Sequence, residues 1–383
     1  MFTTRARIDI SLDDLLHNLR QIRSRISADI PVMAIVKDCA YGCGARPIAR
    51  LLEREGVGFF GVARMSEAAD LREAQITSPI LCLGTCSGEE MKWAAENGVR
   101  VSVNDMSSLH DISRFSLTHT VHIHVNVDTG MGRLGITPGQ VPDAAKLLSQ
   151  LHGRVEPEGV FTHFACADEP YTKTVETQNL LFEKALNSFS DAGISFRYIH
   201  SPNSAAALRF DIPANHLIRP GIALYGCKPD PQQNFGTDLR PIASLKSEVV
   251  MVKRVAGGTP ISYGAHYHAP RETTIATVAL GYAHGFPRLL SNRGNVLIHG
   301  KRYPVAGNVT MDYIMVDIGD DAVEIGDEVV AWGRQNDAMI SPDEVANMCS
   351  TIGYEILCGM STSVPRHYWL DGSIRETVPP HLL

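Results

Sequence analysis

The stretch VMAIVKDCAYGCGA, residues 32–45, decides how the rest of the chain is read. A short apolar run stops at Lys37, and a turn rich in small residues begins behind it. That is the pattern of a buried strand, and it stands the Lys37 ammonium at the strand's mouth. Apolar surroundings disfavour a charged amine, and a desolvated amine is a nucleophile suited to a Schiff base with an aldehyde or other carbonyl compound. Many lysines at strand ends only solvate the element, so the reading turns on what surrounds Lys37.

The same rhythm continues through GFFGV, PILCLG, VRVSV, VHIHVNV, EGVFTHF, FRYIH and LIRPGIALYG. Helical patterns such as PIARLLERE, EEMKWAAEN, PDAAKLLSQL and TQNLLFEKALNSF lie between the runs, with Gly56, Gly98, Gly153 and Gly193 where C-caps belong. Each pair takes roughly 25 residues, which makes about eight βα units, the count of a closed parallel barrel. Ahead of it, Ser11 and Asp14 suit a capping box, and Leu12, Leu15, Leu16, Leu19 and Ile22 form an apolar stripe. After about residue 240 the pattern becomes β alternation cut by turn clusters. One late helix interrupts it, with Ser341 as N-cap, Pro342 at the first position and Glu344 behind. The expected architecture is α/β: a (β/α)8 TIM-type barrel over residues 1–240, then a mostly β domain over 241–383.

The totals exclude several functions. A net charge of -7 with no basic run leaves nucleic acid without a footprint. No apolar stretch reaches the length of a membrane span, and MFTTRARIDI lacks a signal-peptide core, so a cytoplasmic protein is expected. The eight cysteines lie mostly inside apolar runs, as reduced thiols do. Cys39 and Cys43, like Cys82 and Cys86, miss the spacing of a zinc knuckle, and the His122–His124 pair does not mend it; no metal is expected.

In a barrel the residues just after each strand line the functional face. Here they include Lys37 and Tyr41, then Asn126, Asp128 and Arg133, then Thr162 and His163, then Asn203 and Ser204, and finally Arg219, Gly221 and Tyr225. Ser204 and the glycine after Arg219-Pro220 suit a phosphate held by hydroxyl and backbone N–H groups. Singly, Ser204 serves equally well as a helix cap and His163 as a core histidine. An imine-forming lysine beside an anion cradle is what pyridoxal 5'-phosphate needs.

These stretches resemble the alanine racemase family over almost the whole chain. The resemblance rests on VKDCAYGCG, VDTGMGRLG, THFACAD, PNSAA and RPGIALYG, and continues through ISYGAHY, GYAHGFPR, GNVTMDYIMVDIG and YEILCGM. It implies a pyridoxal-phosphate enzyme that interconverts L- and D-alanine, a supply of D-alanine for peptidoglycan precursors, and a homodimer with composite sites. Lys37 is implied as cofactor anchor and one acid/base, and Tyr263 of the partner chain as the other, because racemisation moves a proton on each face. Tyr41, Asn203, Ser204, Gly221, Ile222 and Tyr354 are implied around the phosphate, His163 at the cofactor ring and Arg219 at its pyridine nitrogen. Arg133, Met311, Asp312 and Tyr282 are implied on the substrate side, where Tyr282 and Tyr354 narrow the entrance.

The chain departs from the family pattern at Asp38, Cys39 and Cys43, where VKANAYGHG is common, and at His284, where an aspartate is usual. Asn126 stands where many members carry a carbamylated lysine that positions the arginine. Asparagine cannot be carbamylated, and a small anion such as chloride is the expected substitute. Alanine is the first expected substrate, with serine or a broader range as the alternative, since an added hydroxyl is rejected only about a hundredfold by an apolar pocket. Two rival readings on the same barrel are a pyridoxal-phosphate decarboxylase and a barrel-only carrier of the cofactor. Arg219 in place of an acidic residue argues against the first, and the β domain against the second.

Overall fold

The computed structural model describes residues 4–115, 119–151, 153–169, 173–213 and 216–380. The chain enters through β1 (Arg7–Ser11) and the helix Leu12–Arg23. Ser11 caps that helix as expected, its hydroxyl accepting from Asp14 N at 3.1 Å. Leu12, Leu15, Leu19 and Ile22 are buried along one face, each contributing about 2 kcal/mol of apolar burial.

The barrel strands follow in sequence order around one parallel sheet: β2 (Met33–Ile35), β3 (Phe59–Val62), β4 (Ile80–Cys82), β5 (Val99–Val103), β6 (Val121–Asn126), β7 (Val155–Phe161) and β8 (Tyr198–His200). The expected eighth strand is only a closing segment. Residues 216–220 complete the ring through single bridges, Ile199 with His216 and Val32 with Ile218. Met33 N and Ile35 N donate to the carbonyls of Ile218 and Pro220 at 2.8 and 3.0 Å. Pro220 has no N–H to give, and behind it the chain bends tightly, with Leu224 N donating to Gly221 O at 2.8 Å, so pairing stops.

The second domain is a ten-stranded sheet built around the long strand β9 (Ala243–Val255). Its first half alternates buried and half-buried residues, the period of a strand with one face on a core. β1, which lies inside the 1–240 segment expected to be barrel, is paired into this sheet instead. It runs antiparallel to β9 and parallel to Arg366–Leu370. The chain therefore threads the β layer before it builds the barrel, and this ties the two units together. The late helix Pro342–Met348 begins at Ser341, whose hydroxyl accepts from Glu344 N at 3.0 Å. Among the described residues no helix is long and apolar enough to cross a membrane.

Candidate active site

Behind β2 the expected small-residue turn takes a left-handed form that the residue types at 38–41 do not announce. Asp38, Cys39, Ala40 and Tyr41 all have φ between 52° and 55°. A left-handed conformation costs an L-residue about 1–2 kcal/mol, so this one left-handed turn is strained and must be held. Glu67 holds its start, accepting from Asp38 N at 2.6 Å and also from Ala63 N at 2.8 Å. Gly42 N closes it on Asp38 O at 2.9 Å. From behind, the fully buried Arg366 donates to Gly42 O at 3.1 Å, and Tyr368 donates to Cys43 O at 2.8 Å. The β domain thus braces the turn that aims Lys37 and Tyr41.

Lys37 and Tyr41 line a cavity of about 540 Å³ at the C-terminal face of the barrel. Arg133, His163, Asn203, Ser204, Arg219, Gly221, Ile222 and Tyr354 line it too. No acceptor among the described residues meets Lys37 Nζ. Tyr354 reaches in from the β domain's helix Gly353–Cys358, its ring 6.1 Å from that of Tyr41. Burial raises the Tyr41 and Tyr354 phenols well above their ordinary range, so both remain neutral donors.

One pole of the cavity is made of small neutral donors. Ser204 Oγ accepts from Gly221 N at 2.9 Å, and Asn203 rather than Ser204 caps the short helix Ser204–Arg209, accepting from Ala206 N at 3.0 Å. Gly221 is required by space: a Cβ there would lie 2.3 Å from Tyr41 Oη. The glycine lets a hydroxyl and a backbone turn come together, and this donor set fits a phosphate.

At the other pole Arg219 is buried and held from several sides. Its Nη1 donates to His200 O at 2.6 Å and meets His200 Nδ1 at 3.0 Å. Its Nη2 donates to Thr162 O at 2.8 Å and Ser201 O at 3.2 Å, and meets His163 Nδ1 at 3.2 Å. No acceptor among the described residues meets Nε. Burial pushes the guanidinium down to about 9, helped by the Arg133 charge. Burial likewise pushes His163 down to about 3, with Arg219, Arg133 and Lys37 acting in the same sense.

Arg133 sits on an exposed turn whose backbone N–H groups at 130–132 are gathered by Asp128 at 2.9–3.1 Å. Asn126 takes the other side of that turn, donating to Leu134 O at 3.1 Å and to Asn104 Oδ1 at 2.8 Å. The asparagine therefore supports the arginine's turn directly.

Tyr263, Tyr282, Met311 and Asp312 do not join this cavity within the chain. They form a second cluster on β-domain loops. Asn308 Nδ2 donates to Tyr263 O at 2.8 Å, and Tyr282 N and Ala283 N donate to Thr310 O and Met311 O at 3.1 Å. Tyr263 is 76% exposed, and Tyr282, Met311 and Tyr313 are exposed beside it. His284 Nδ1 accepts from Gly281 N at 3.1 Å; burial lowers its pKa while Asp312 acts against that. Sequence reasoning placed Thr162 at its strand end but missed Glu67, Arg366 and His200. The only signal for His200 was its place at the end of β8.

A barrel whose mouth pairs an unpartnered lysine with a fixed arginine, closed by a side chain from a following β domain, defines a class of two-domain barrel proteins with one functional face. Comparison with known proteins narrows it. Residues 10–229 match the family profile of the alanine racemase N-terminal domain, and residues 242–368 that of the alanine racemase C-terminal domain. The alanine racemase of Desulforamulus reducens is 40% identical, the match covering 94% of this chain and 98% of that one. Alanine racemase 2 of Bacillus subtilis is also 40% identical, over 98% and 97% of the two chains. The crystal structure of the Bacillus anthracis alanine racemase with bound L-Ala-P aligns with a TM-score of 0.92 at 37% identity, covering 99% of this chain and 98% of that one. The chain belongs to the alanine racemase family.

Proposed function

We propose that this chain, with pyridoxal 5'-phosphate in the barrel mouth, interconverts L- and D-alanine. The observation that carries the reading is the free Lys37 amine in a cavity that also holds a neutral donor pole and the open Nε of Arg219. The residues fit the cofactor at both ends. Bound there, pyridoxal phosphate supplies the electron sink that makes an amino acid's α-proton removable.

Lys37 anchors the aldehyde and holds or moves the proton on one face of the substrate. Tyr41, Asn203, Ser204, Gly221, Ile222 and Tyr354 surround the phosphate. Arg219, its Nη atoms already engaged, would offer Nε to the ring nitrogen; a guanidinium parts reluctantly with its proton, so it would donate without fully protonating the ring and would suppress side reactions that need full delocalisation. His163, kept neutral by burial, supports the ring. Arg133 takes the substrate carboxylate.

The opposite face needs a second base. The partner subunit's Tyr263 supplies it, with Met311, Asp312 and Tyr282 of that subunit on the substrate side. The exposure of Tyr263 on its own chain supports this, because a phenol engaged at home has nothing to offer a neighbour. A homodimer with two composite sites follows. Alanine is the substrate named by the relatives, and serine is the secondary one.

The experiment is L-alanine with purified, cofactor-loaded protein in heavy water. D-alanine should accumulate carrying deuterium at Cα with amine and carboxyl groups retained. Carbon dioxide release, or no exchange at all, contradicts the proposal.

A further inference from the structure

Beneath Arg219 a thread of polar side chains crosses the barrel interior, and beyond its contact with Arg219 none of it enters the cavity chemistry described so far. His200 on β8 accepts at Nδ1 from Arg219 Nη1 at 3.0 Å, since a guanidinium only donates. Its proton therefore sits on Nε2, which lies 2.7 Å from His124 Nδ1 on β6. That nitrogen must then accept, and the His124 proton sits on its own Nε2. His124 Nε2 is buried, meets no closer acceptor, and lies 3.5 Å from Glu158 Oε2 on β7. Glu158 ends the thread as an acceptor-only group, clamped by Arg100 on β5 through Nε at 2.7 Å and Nη2 at 3.0 Å.

The direction of every donor is thus set from both ends, by a guanidinium that cannot accept and a carboxylate that cannot donate. Both imidazoles are fully buried and stay neutral, burial driving their pKa values down. Burial would raise the Glu158 carboxyl, but the neighbouring His124 N–H and the hydrogen bonds from Arg100 outweigh that and hold it ionised. The interior is shaped for the thread: a Cβ on Gly159 would lie 2.3 Å from His124 Nδ1, and Phe161 stacks on His200 at 4.8 Å. Filling this space with apolar side chains would ordinarily stabilise a barrel at least as well, so the thread calls for a role.

We infer that Glu158, anchored by Arg100, is a positioning residue for Arg219, acting through His124 and His200 to fix the orientation in which Arg219 presents its Nε to the cavity. The inference rests on the proposed role of Arg219 at the cofactor ring, but its main readout does not depend on turnover.

The test is the imidazole nitrogen signals of ¹⁵N-histidine-labelled, cofactor-loaded protein, wild type against Glu158→Leu and Glu158→Gln, together with alanine kinetics. Wild type should carry the proton on Nε2 in both His200 and His124. Glu158→Leu leaves the last N–H without an acceptor, so the tautomer pattern should change and kcat fall about tenfold, with the KM for alanine within about twofold. Glu158→Gln, whose amide oxygen still accepts, should restore the wild-type pattern and most of kcat. Should Glu158→Leu fail to fold, the wild-type and Glu158→Gln signals decide. A proton on Nδ1 of either histidine in wild type overturns the inference. So does a Glu158→Leu protein that only melts earlier, with signals and kcat unchanged. Correct tautomers in a protein that does not racemise alanine would leave the thread standing and remove the proposed function instead.

Discussion

At the barrel mouth Arg219 is 4% exposed and its two Nη atoms are met at five points, whereas on the β domain Tyr263 is 76% exposed and, among the described residues, only its backbone carbonyl is held. The first region is finished inside one chain, with its aim fixed before any ligand arrives. The second is a platform of loops that presents aromatic side chains outward. The contrast teaches that, under the proposed function, the two halves of the site would serve different encounters: the mouth a small rigid molecule, the platform another copy of the chain.

The sharpest way to break this comparison is to remove one side chain from each half. Lys37→Ala should abolish α-proton exchange from both enantiomers in heavy water, by about four orders of magnitude. Tyr263→Phe should abolish it from one enantiomer only, since the Lys37 face is intact. Equal loss from both enantiomers in Tyr263→Phe would assign Tyr263 a role other than base.

A smaller effect tests the neutral pole. Gly221→Ala drives a methyl group into the space of Tyr41 Oη. Affinity for pyridoxal phosphate, followed by fluorescence titration, should fall about tenfold, the worth of one or two displaced hydrogen bonds. Unchanged affinity would remove Tyr41 and Gly221 from the phosphate pole.

The smallest effect is on stability in acid. His163, His200 and His124 have folded pKa values lowered from the ordinary 6.5, His163 to about 3. Between about pH 3 and 6.5 the unfolded chain binds protons that the folded chain refuses, so stability rises with pH through that window and is lost as pH falls. His163→Gln should flatten the slope by up to about 1.4 kcal/mol per pH unit, read by urea unfolding at several pH values. An unaltered slope would mean that His163 is charged in the folded protein.

Much of the barrel was legible because its strands are short apolar runs with polar ends, and Ser11 and Ser341 cap their helices as their neighbours demand. What stayed hidden depends on distant partners. No glycine marks the left-handed turn at 38–41; Glu67 and Arg366 impose it from far along the chain. β1 reads as a strand in either unit, and only its pairing with β9 assigns it to the second sheet. The closing segment at 216–220 looked like a full strand because its apolar content matched, although Pro220 prevents extended pairing. Within the site, the identities of Lys37, Ser204 and Arg219 were readable from their place after strands. The capping role of Asn203 and the thread from Arg219 to Glu158 were not, since both rest on side-chain geometry.

The account stands on two halves contributed by different subunits, and mixing inactive variants tests that most directly. Lys37→Ala and Tyr263→Phe proteins, each inactive in racemisation, should regain about one quarter of wild-type activity after dissociation and reassociation in equal amounts, because half the dimers are mixed and each mixed dimer holds one intact site. A mixture that stays inactive while mixed dimers demonstrably form would contradict the account.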